Sequence, residues 1–517
     1  MLTGRRATVT TALLLAIATL AFYSFRLDYV PAHLAHDEVF FALHAHAIAS
    51  NGRDLQGVAM PLYFPILSGY WAQPIIVYLT ALFLKVLPLS ETVVRLPTVV
   101  VAATDVVLMY LVGRRFFHAE RPAVLAAVML AITPAHFIFG RMGVDVLYPI
   151  PFVLTWLLCL LGFEADRRPW RVLIGVAALG VGLYTYIGAL VVMPIYLAMT
   201  LIFLFETRAP LRTYAFTTAF VALVVPLAVW LAGHPTASAQ FLGRYELYDN
   251  GHARLSGSLM RFFGSSSLVQ RLNVYWSCLN PAFLFLVAED NPVNSTFRSG
   301  MFLLPLAVFV PLGLIRVFSA LKTPRYLLLA VGFFTAPLAA AIVEERTIAR
   351  QQIMLPFAIL IAMVGVEWAC AAGKRWRAAA FGLLALMPLQ FGYFCFDYYH
   401  GYRLRSASWF DRNMQGATGA IIARAGTTSE PHIYLADNIL WLDWYWRFYT
   451  IKNHREDLLT RASEFDPRER WAIGSPSVVL TPYDPPRHDP RAREAGATAV
   501  ETIREPDGEP SFSVFER

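Results

Sequence analysis

Charge is what this chain has least of. Asp, Glu, Lys and Arg make up 15% of its 517 residues, and 57% of the chain is hydrophobic. An ordinary soluble domain carries about 25% charged residues, so the deficit excludes a water-soluble globule and predicts a polytopic membrane protein. Cysteine is nearly absent. Cys159, Cys278, Cys370 and Cys395 form no CxxC pair, and three of them fall in apolar stretches. A disulfide framework and a cysteine zinc site are thereby excluded. A Walker loop, a GxGxxG opening a helix, HExxH and GxSxG are all missing, which removes the nucleotide, zinc-protease and serine-hydrolase chemistries those motifs carry. No Asp-x-Asp pair of the kind that holds a metal diphosphate is present, so a cytoplasmic nucleotide donor has no support. There is no internal repeat, heptad or low-complexity tract.

What is present is long apolar runs. They lie near 8–24, 95–113, 122–140, 146–163, 172–187, 188–205, 215–233, 300–318, 326–343, 352–372 and 378–396, about eleven spans in all. The run 172–205 is continuous and is split at Tyr184-Thr-Tyr-Ile-Gly188. The N-terminal run lacks a small-x-small cleavage site at Tyr23-Ser-Phe-Arg-Leu27, so it reads as a retained anchor. The net charge is +7, which in a soluble chain would raise nucleic acid as a partner. Here the basic residues sit in alternate short loops: Arg5/Arg6, Arg114/Arg115/Arg121, Arg167/Arg168/Arg171, Arg208/Arg212, Arg316/Lys322/Arg325 and Lys374/Arg375/Arg377. Against them stand only Glu120, Glu164, Asp166 and Glu206. The asymmetry is a topology signal. It puts the N-terminus in the cytoplasm, predicts no nucleic-acid partner, and leaves three large outer segments.

The first outer segment, 25–94, contains a short apolar piece at 75–87 that reads as an interfacial or re-entrant helix. The second is 234–299. The third, 397–517, shifts to a charged, proline-rich composition. Alternating runs at 432–436, 477–481 and 511–516 and a helical pattern near 408–425 predict a small α/β domain there. The expected organisation is a membrane module over 1–396 and an outer α/β domain over 397–517.

Candidate chemistry lies on the outer side. Asp37 and Glu38 stand just beyond the first span. Paired carboxylates beside a membrane are costly unless they face water or a site. One of them can deprotonate an acceptor hydroxyl. The bland alternative is an acidic pair at the start of a helix over 37–50, favoured by the helix dipole. Arg141 and Asp145 follow the third span at i, i+4 spacing, which one helical turn would bring to one face; a local ion pair is the alternative. His136 reads as a satisfied polar residue. Glu289-Asp290 through Arg298 precede the eighth span, and Glu344-Glu345-Arg346 through Arg350 precede the tenth. Arg298, Arg346 and Arg350 lie where the positive-inside rule does not place them. Guanidinium suits phosphate, with a solvated loop or a lipid headgroup contact as the alternative. Outer carboxylates with outer arginines are compatible with a phosphate-bearing lipid donor.

These residues also fall in an ordered series: Asp37-Glu38, Ala49-Ser-Asn-Gly-Arg-Asp54, Pro61-Leu-Tyr-Phe64, Pro74-Ile-Ile-Val-Tyr78 and Val94-Arg-Leu-Pro97. Thr133-Pro-Ala-His-Phe-Ile-Phe-Gly-Arg141, Phe283-Leu-Phe285, Asp290, Arg350-x-x-x-x-Leu-Pro356, Asp397-Tyr-Tyr399 and Arg405-Ser-Ala407 continue it. The series resembles the GT-C superfamily of polyprenyl-phosphate-sugar glycosyltransferases. More narrowly it resembles the bacterial family-39 group, related to protein O-mannosyltransferases and the lipid A aminoarabinose transferase.

The resemblance implies a GT-C-like fold in a bacterial inner membrane and an inverting transfer from a polyprenyl-phosphate-linked sugar. The acceptor would be a lipid, glycan or protein hydroxyl on the periplasmic side. It implies Asp37 as base, with Glu38 beside it and Asp145 as the second outer acid. Arg346 and Arg350 would anchor the lipid phosphate, with Arg141 and Arg298 as further cations. Tyr63, Gln73 and Asp290 would bind substrate. No cofactor is implied, and a divalent metal stays open. One departure stands out: relatives often carry Lys-Pro-Pro where this chain has Ala72-Gln73-Pro74, and Gln73 supplies no cation. The aromatic tail, with Trp441, Trp444 and Trp446, would present acceptor or pack on the roof of the site. Two rival classes remain. A transporter calls for charges within the spans and inverted repeats, and a scaffold needs no one-sided cluster of carboxylates and arginines.

Overall fold

The structure, a computed structural model, describes residues 2–66, 71–234, 265–287, 289–426 and 431–517. Residues 235–264 of the second outer segment therefore lie outside the described residues. Packing divides the chain into two compact units. One takes Met1–Phe25, Pro61–Ile76 and Pro97–Cys395; the other takes Arg26–Met60, Val77–Leu96 and Phe396–Arg517. Two pieces of the first outer segment thus pack with the tail.

The first unit is helical. Among the described residues of the whole chain, eight helices are long and apolar enough to cross a membrane, which makes this a multi-pass membrane protein. Hydropathy alone predicts about eleven, and the difference has a local cause. Three of the expected spans form helices of only 12 to 14 residues: Glu120–Ala131, Pro169–Gly182 and Leu306–Ser319. The run 122–140 breaks at Thr133, whose backbone is extended (φ −76°, ψ 123°). Pro134 has no N–H to continue the ladder and forces its predecessor out of the helical region. It then opens the separate helix Pro134–Phe139. The centre of the unit is the helix Met354–Ala371, buried on nearly every side and packed on Leu306–Ser319. A Cβ on Gly313 would run into the Ile361 carbonyl, and one on Gly365 into the Phe309 carbonyl. In lipid, where apolar side chains gain little by association, such close approach of small residues holds helices together.

The second unit begins with the helix His36–Asn51, which ends at Gly52 in the left-handed conformation (φ 73°) that glycine adopts without steric cost. Its Val39, Ala42 and Leu43 recur at helical spacing and join one core with Tyr445 and Phe448 of the helix Leu442–Lys452. The tail carries a five-stranded sheet. Its strands are β3 (His432–Ala436), β4 (Ala462–Phe465), β5 (Ser477–Pro482), β6 (Thr498–Arg504) and β7 (Pro510–Glu516). The strands β1 (Phe64–Pro65) and β2 (Trp71–Ala72) form a separate short hairpin in the first unit. The order in the large sheet is β4-β3-β5-β7-β6, with β3 parallel to β4 and β5, and β7 antiparallel to β5 and β6. Side chains alternate across it. Ile433, Leu435, Val478, Leu480 and Val514 enter the core shared with the 36–51 helix. Val479 and Phe515 face the opposite cluster with Trp471 and Ala492.

Candidate active site

In the second unit the acidic pair divides. Glu38 is fully buried. Its Oε2 accepts the Ala35 N–H (2.9 Å), closing a capping box. Arg95 then grips it from the start of the helix Glu91–Phe117: Nε to Oε1 at 2.9 Å and Nη2 to Oε2 at 3.2 Å. The remaining guanidinium donors reach the carbonyls of Leu27 (2.9 Å), Pro31 (3.1 Å) and His33 (2.6 Å). A buried ion pair is tolerated when its leftover donors and acceptors are satisfied in this way. Glu38 therefore fixes the start of the helix, and Asp37, about 100° further round the helix, points elsewhere with its side chain 59% exposed.

His36 stands beside Asp37, Nε2 to Oδ1 at 3.8 Å. Its backbone N–H and its Nδ1 both donate to Asp411 Oδ2, at 2.9 and 3.0 Å. Tyr445 Oη approaches the same oxygen at 3.0 Å and the Leu34 carbonyl at 2.7 Å. The imidazole stacks on Trp441, 5.1 Å between centroids at 14°, and Trp441 packs on Trp444. Burial opposes charging His36, but the hydrogen bond to Asp411 and the carboxylates of Asp37 and Asp411 outweigh it, so His36 titrates above its ordinary value of 6.5. A base raised on folding stabilises the fold fully below its unfolded pKa, and that contribution is lost as pH rises through the folded value. The melting-temperature difference between wild type and His36→Gln is accordingly expected to be larger near pH 6 than near pH 8.5; a difference independent of pH would contradict the pairing.

In the first unit Gln73 follows β2 and immediately precedes the helix Pro74–Leu84. It is 2% exposed, and both polar atoms of its amide lack a hydrogen-bond partner among the described residues. Leaving buried donors and acceptors unmade costs about 1–3 kcal/mol, a cost that a bound polar group would relieve. Tyr63, which immediately precedes β1, is also buried, its ring 4.5 Å from that of Trp230. Trp230 also meets Trp71 at 4.8 Å and stacks on His234 at 4.5 Å.

The two arginines of the 344–350 loop differ. Arg350 is paired with Glu345, Nε to Oε2 at 3.0 Å. Arg346 is exposed over the ring of Phe283 and forms no ion pair among the described residues. Glu289 holds the loop in place: its Oε2 accepts the Ile348 N–H at 2.9 Å and its Oε1 accepts from Asn294 at 2.8 Å. Burial pushes its pKa up. Asp290 and Arg298 are exposed nearby in sequence.

The helical turn expected to join Arg141 and Asp145 does not form. Helix ends at Gly140, and Asp145 starts a separate 3-10 turn, Asp145–Leu147. Arg141 is fully buried and donates through Nη1 to the carbonyls of Tyr23 (2.6 Å) and Phe25 (2.8 Å). Those carbonyls belong to the end of the first helix and the residue after it, where the backbone's own acceptors run out. Asp145 is half-buried. His136 is satisfied as expected, its Nδ1 2.8 Å from Tyr23 Oη and its Nε2 3.4 Å from Asp105.

Residues 72–231 match the family model described as dolichyl-phosphate-mannose-protein mannosyltransferase. The structure of ArnT from Cupriavidus metallidurans bound to undecaprenyl phosphate matches at 14% identity over 99% of this chain and 98% of that one, with a TM-score of 0.55. The same protein in the apo state matches at 16% identity over 98% of each chain, with a TM-score of 0.57. The chain is similar in fold to ArnT. The polytopic helical fold expected from the sequence, with its small α/β tail, is thus borne out. No curated protein sequence matches the chain. Among the described residues no group of three or more His, Cys, Asp or Glu is placed to hold a metal ion.

Within this ArnT-like frame, several residues that matter to the candidate site escape a sequence reading. Arg95 and Asp105 stand in an apolar stretch, and a charge there is itself a signal. His36 and Asp411 carry no such mark, because their pairing joins positions 375 residues apart.

Proposed function

We propose that the chain is an inverting glycosyltransferase that moves a sugar from a polyprenyl-phosphate donor to a hydroxyl acceptor on the outer face of a bacterial inner membrane. The observation that carries this reading is Asp37, a carboxylate left exposed beside His36 while its neighbour Glu38 is locked into the fold. The acceptor oxygen attacks the anomeric carbon as its proton passes to Asp37. The bond from that carbon to the phosphate oxygen breaks, and the phosphate monoester keeps the electron pair. Its second pKa is about 6, so it leaves without a strong acid, and the main electrostatic task is to neutralise its charge. His36 stands beside Asp37, Nε2 to Oδ1 at 3.8 Å. Glu38, Arg95 and Arg141 are positioning residues. Asp145 orients substrate, Gln73 and Tyr63 bind it, and Asp290 and Arg298 contribute at the outer surface.

The test is release of free polyprenyl phosphate from a panel of polyprenyl-phosphate sugars by the purified protein. Release from none of them, together with solute movement across vesicles, would restore the transporter reading, which the ArnT-like fold does not favour. The loop charges support a cytoplasmic N-terminus and an outer tail. A reporter fused after Asp397 is expected to act as periplasmic, and activity only of a cytoplasmic reporter would overturn the topology.

Arg346 is the proposed donor-phosphate cation, because Arg350 is already neutralised by Glu345. Arg346→Gln is expected to weaken donor binding by roughly 1.5–3 kcal/mol, the worth of a charge-assisted contact, with Arg350→Gln weakening it less. Equal donor affinity in wild type and Arg346→Gln would remove Arg346 from the site. Gln73→Lys, which restores the cation that relatives carry, is expected to raise donor affinity.

A further inference from the structure

The second unit carries a cleft of about 560 Å³ that none of these roles uses. Its floor is apolar: Met414, Ile439 and Phe512 line it and belong to the buried core of the unit. Its rim is built differently, from Trp409, Asp411, Arg412 and Asn438. Trp409 is 57% exposed. The Arg412 guanidinium and the Asn438 amide make no hydrogen bond or ion pair among the described residues.

The corner that presents these groups is held by design of the fold. Asp411 and Arg412 both have left-handed backbones, φ 53° and 64°, a conformation that non-glycine residues keep only where their surroundings impose it. Asn413 imposes it from one side: its N–H donates to Glu505 Oε1 at 2.8 Å and its Nδ2 to the Arg504 carbonyl at 2.7 Å. His36 and Tyr445 impose it from the other, and all three of their contacts converge on Asp411 Oδ2. Oδ1 is left to accept.

An exposed indole, a carboxylate oxygen, an amide and a guanidinium over an apolar floor match the two-sided chemistry of a pyranose. One face of such a ring is C–H, suited to an aromatic plane, and its edge is hydroxyl, able to give and take hydrogen bonds. A small number of polar groups fixing orientation over an apolar surface is the usual form of a small-molecule site. The carboxylate of Asp411 beside Arg412 disfavours a polyanionic headgroup. We propose that this cleft binds a neutral sugar ring of the acceptor, which makes the acceptor a glycan. Trp409 stacks on the ring, Asp411 Oδ1 accepts from a hydroxyl, and Asn438 and Arg412 donate to others. The proposal rests on the transferase reading and deepens it. Asp411 is hydrogen-bonded to His36, whose Nε2 lies 3.8 Å from Asp37, so one residue links the sugar-binding corner to the proposed base.

The experiment is saturation-transfer NMR on the full-length protein in detergent, with neutral tetrasaccharides of glucose, mannose, galactose and N-acetylglucosamine as probes. Trp409→Ala and Asn438→Ala are compared with wild type, and both side chains are exposed, so the fold is retained. Binding of at least one saccharide is expected, about tenfold weaker in either variant, the loss typical of one anchoring contact. Binding of none, or binding unchanged in both variants, overturns the proposal. Loss of binding to phosphatidylglycerol vesicles in the variants, with no saccharide bound by wild type, also overturns it and assigns the rim to membrane contact. Donor cleavage is read separately. Saccharide binding without polyprenyl phosphate release from any donor would remove the transferase reading and leave the sugar site standing.

Discussion

Asp37→Asn is expected to leave a folded protein that transfers sugar about 10²–10⁴-fold more slowly, the range over which a positioned general base acts. Asparagine keeps the shape of the side chain and its exposure on the 36–51 helix while removing the proton acceptor. Melting temperature should hold, because the exposed carboxylate contributes little to packing and the helix start is fixed by Glu38 and Arg95. The measurement is single-turnover release of polyprenyl phosphate with acceptor present. Near-normal turnover would take the base away from Asp37 and make Asp145 the next carboxylate to substitute.

Arg95→Met is expected to cost stability instead, about 3–5 kcal/mol, because it strands the buried Glu38 carboxylate without its partner. The carbonyls of Leu27, Pro31 and His33 lose their donor in the same step. The readout is the denaturation midpoint in detergent. Combining it with Glu38→Gln should cost less than the two changes summed, since the pair act as one unit. A loss under about 1 kcal/mol for the single variant would mean that the Glu38–Arg95 pair does not fix the helix start. It would reopen a chemical role for Glu38.

The membrane architecture was legible because hydropathy and loop charge are local. The 36–51 helix, the short helix at 74–84 and the strands β3, β5 and β7 all carry their pattern in consecutive residues. β6 does not: only Ile503 of its seven residues is buried, so no alternation marks it. The break at Pro134 stands in plain view in the sequence, but an apolar run reads as continuous when only hydropathy is followed. The division of labour between Asp37 and Glu38 is invisible locally, because it depends on Arg95, 57 residues onward. Arg141 reads as a cation for phosphate until its partners, two backbone carbonyls more than a hundred residues earlier, are seen.

The second unit is assembled from three separated stretches of chain, and this sets the order in which it can be made. His33 bonds Glu505, 472 residues later, and Ser511, on the final strand, donates to the same carboxylate. Val39 and Leu43 share a core with Val514. The helix that bears Asp37 is thus synthesised early and waits for nearly the whole membrane domain before its packing partners exist. Contacts of such high sequence separation form slowly, and exposed apolar surface is vulnerable in the interval. A chain made only as far as β6 would carry the 36–51 helix without the β7 side of its core.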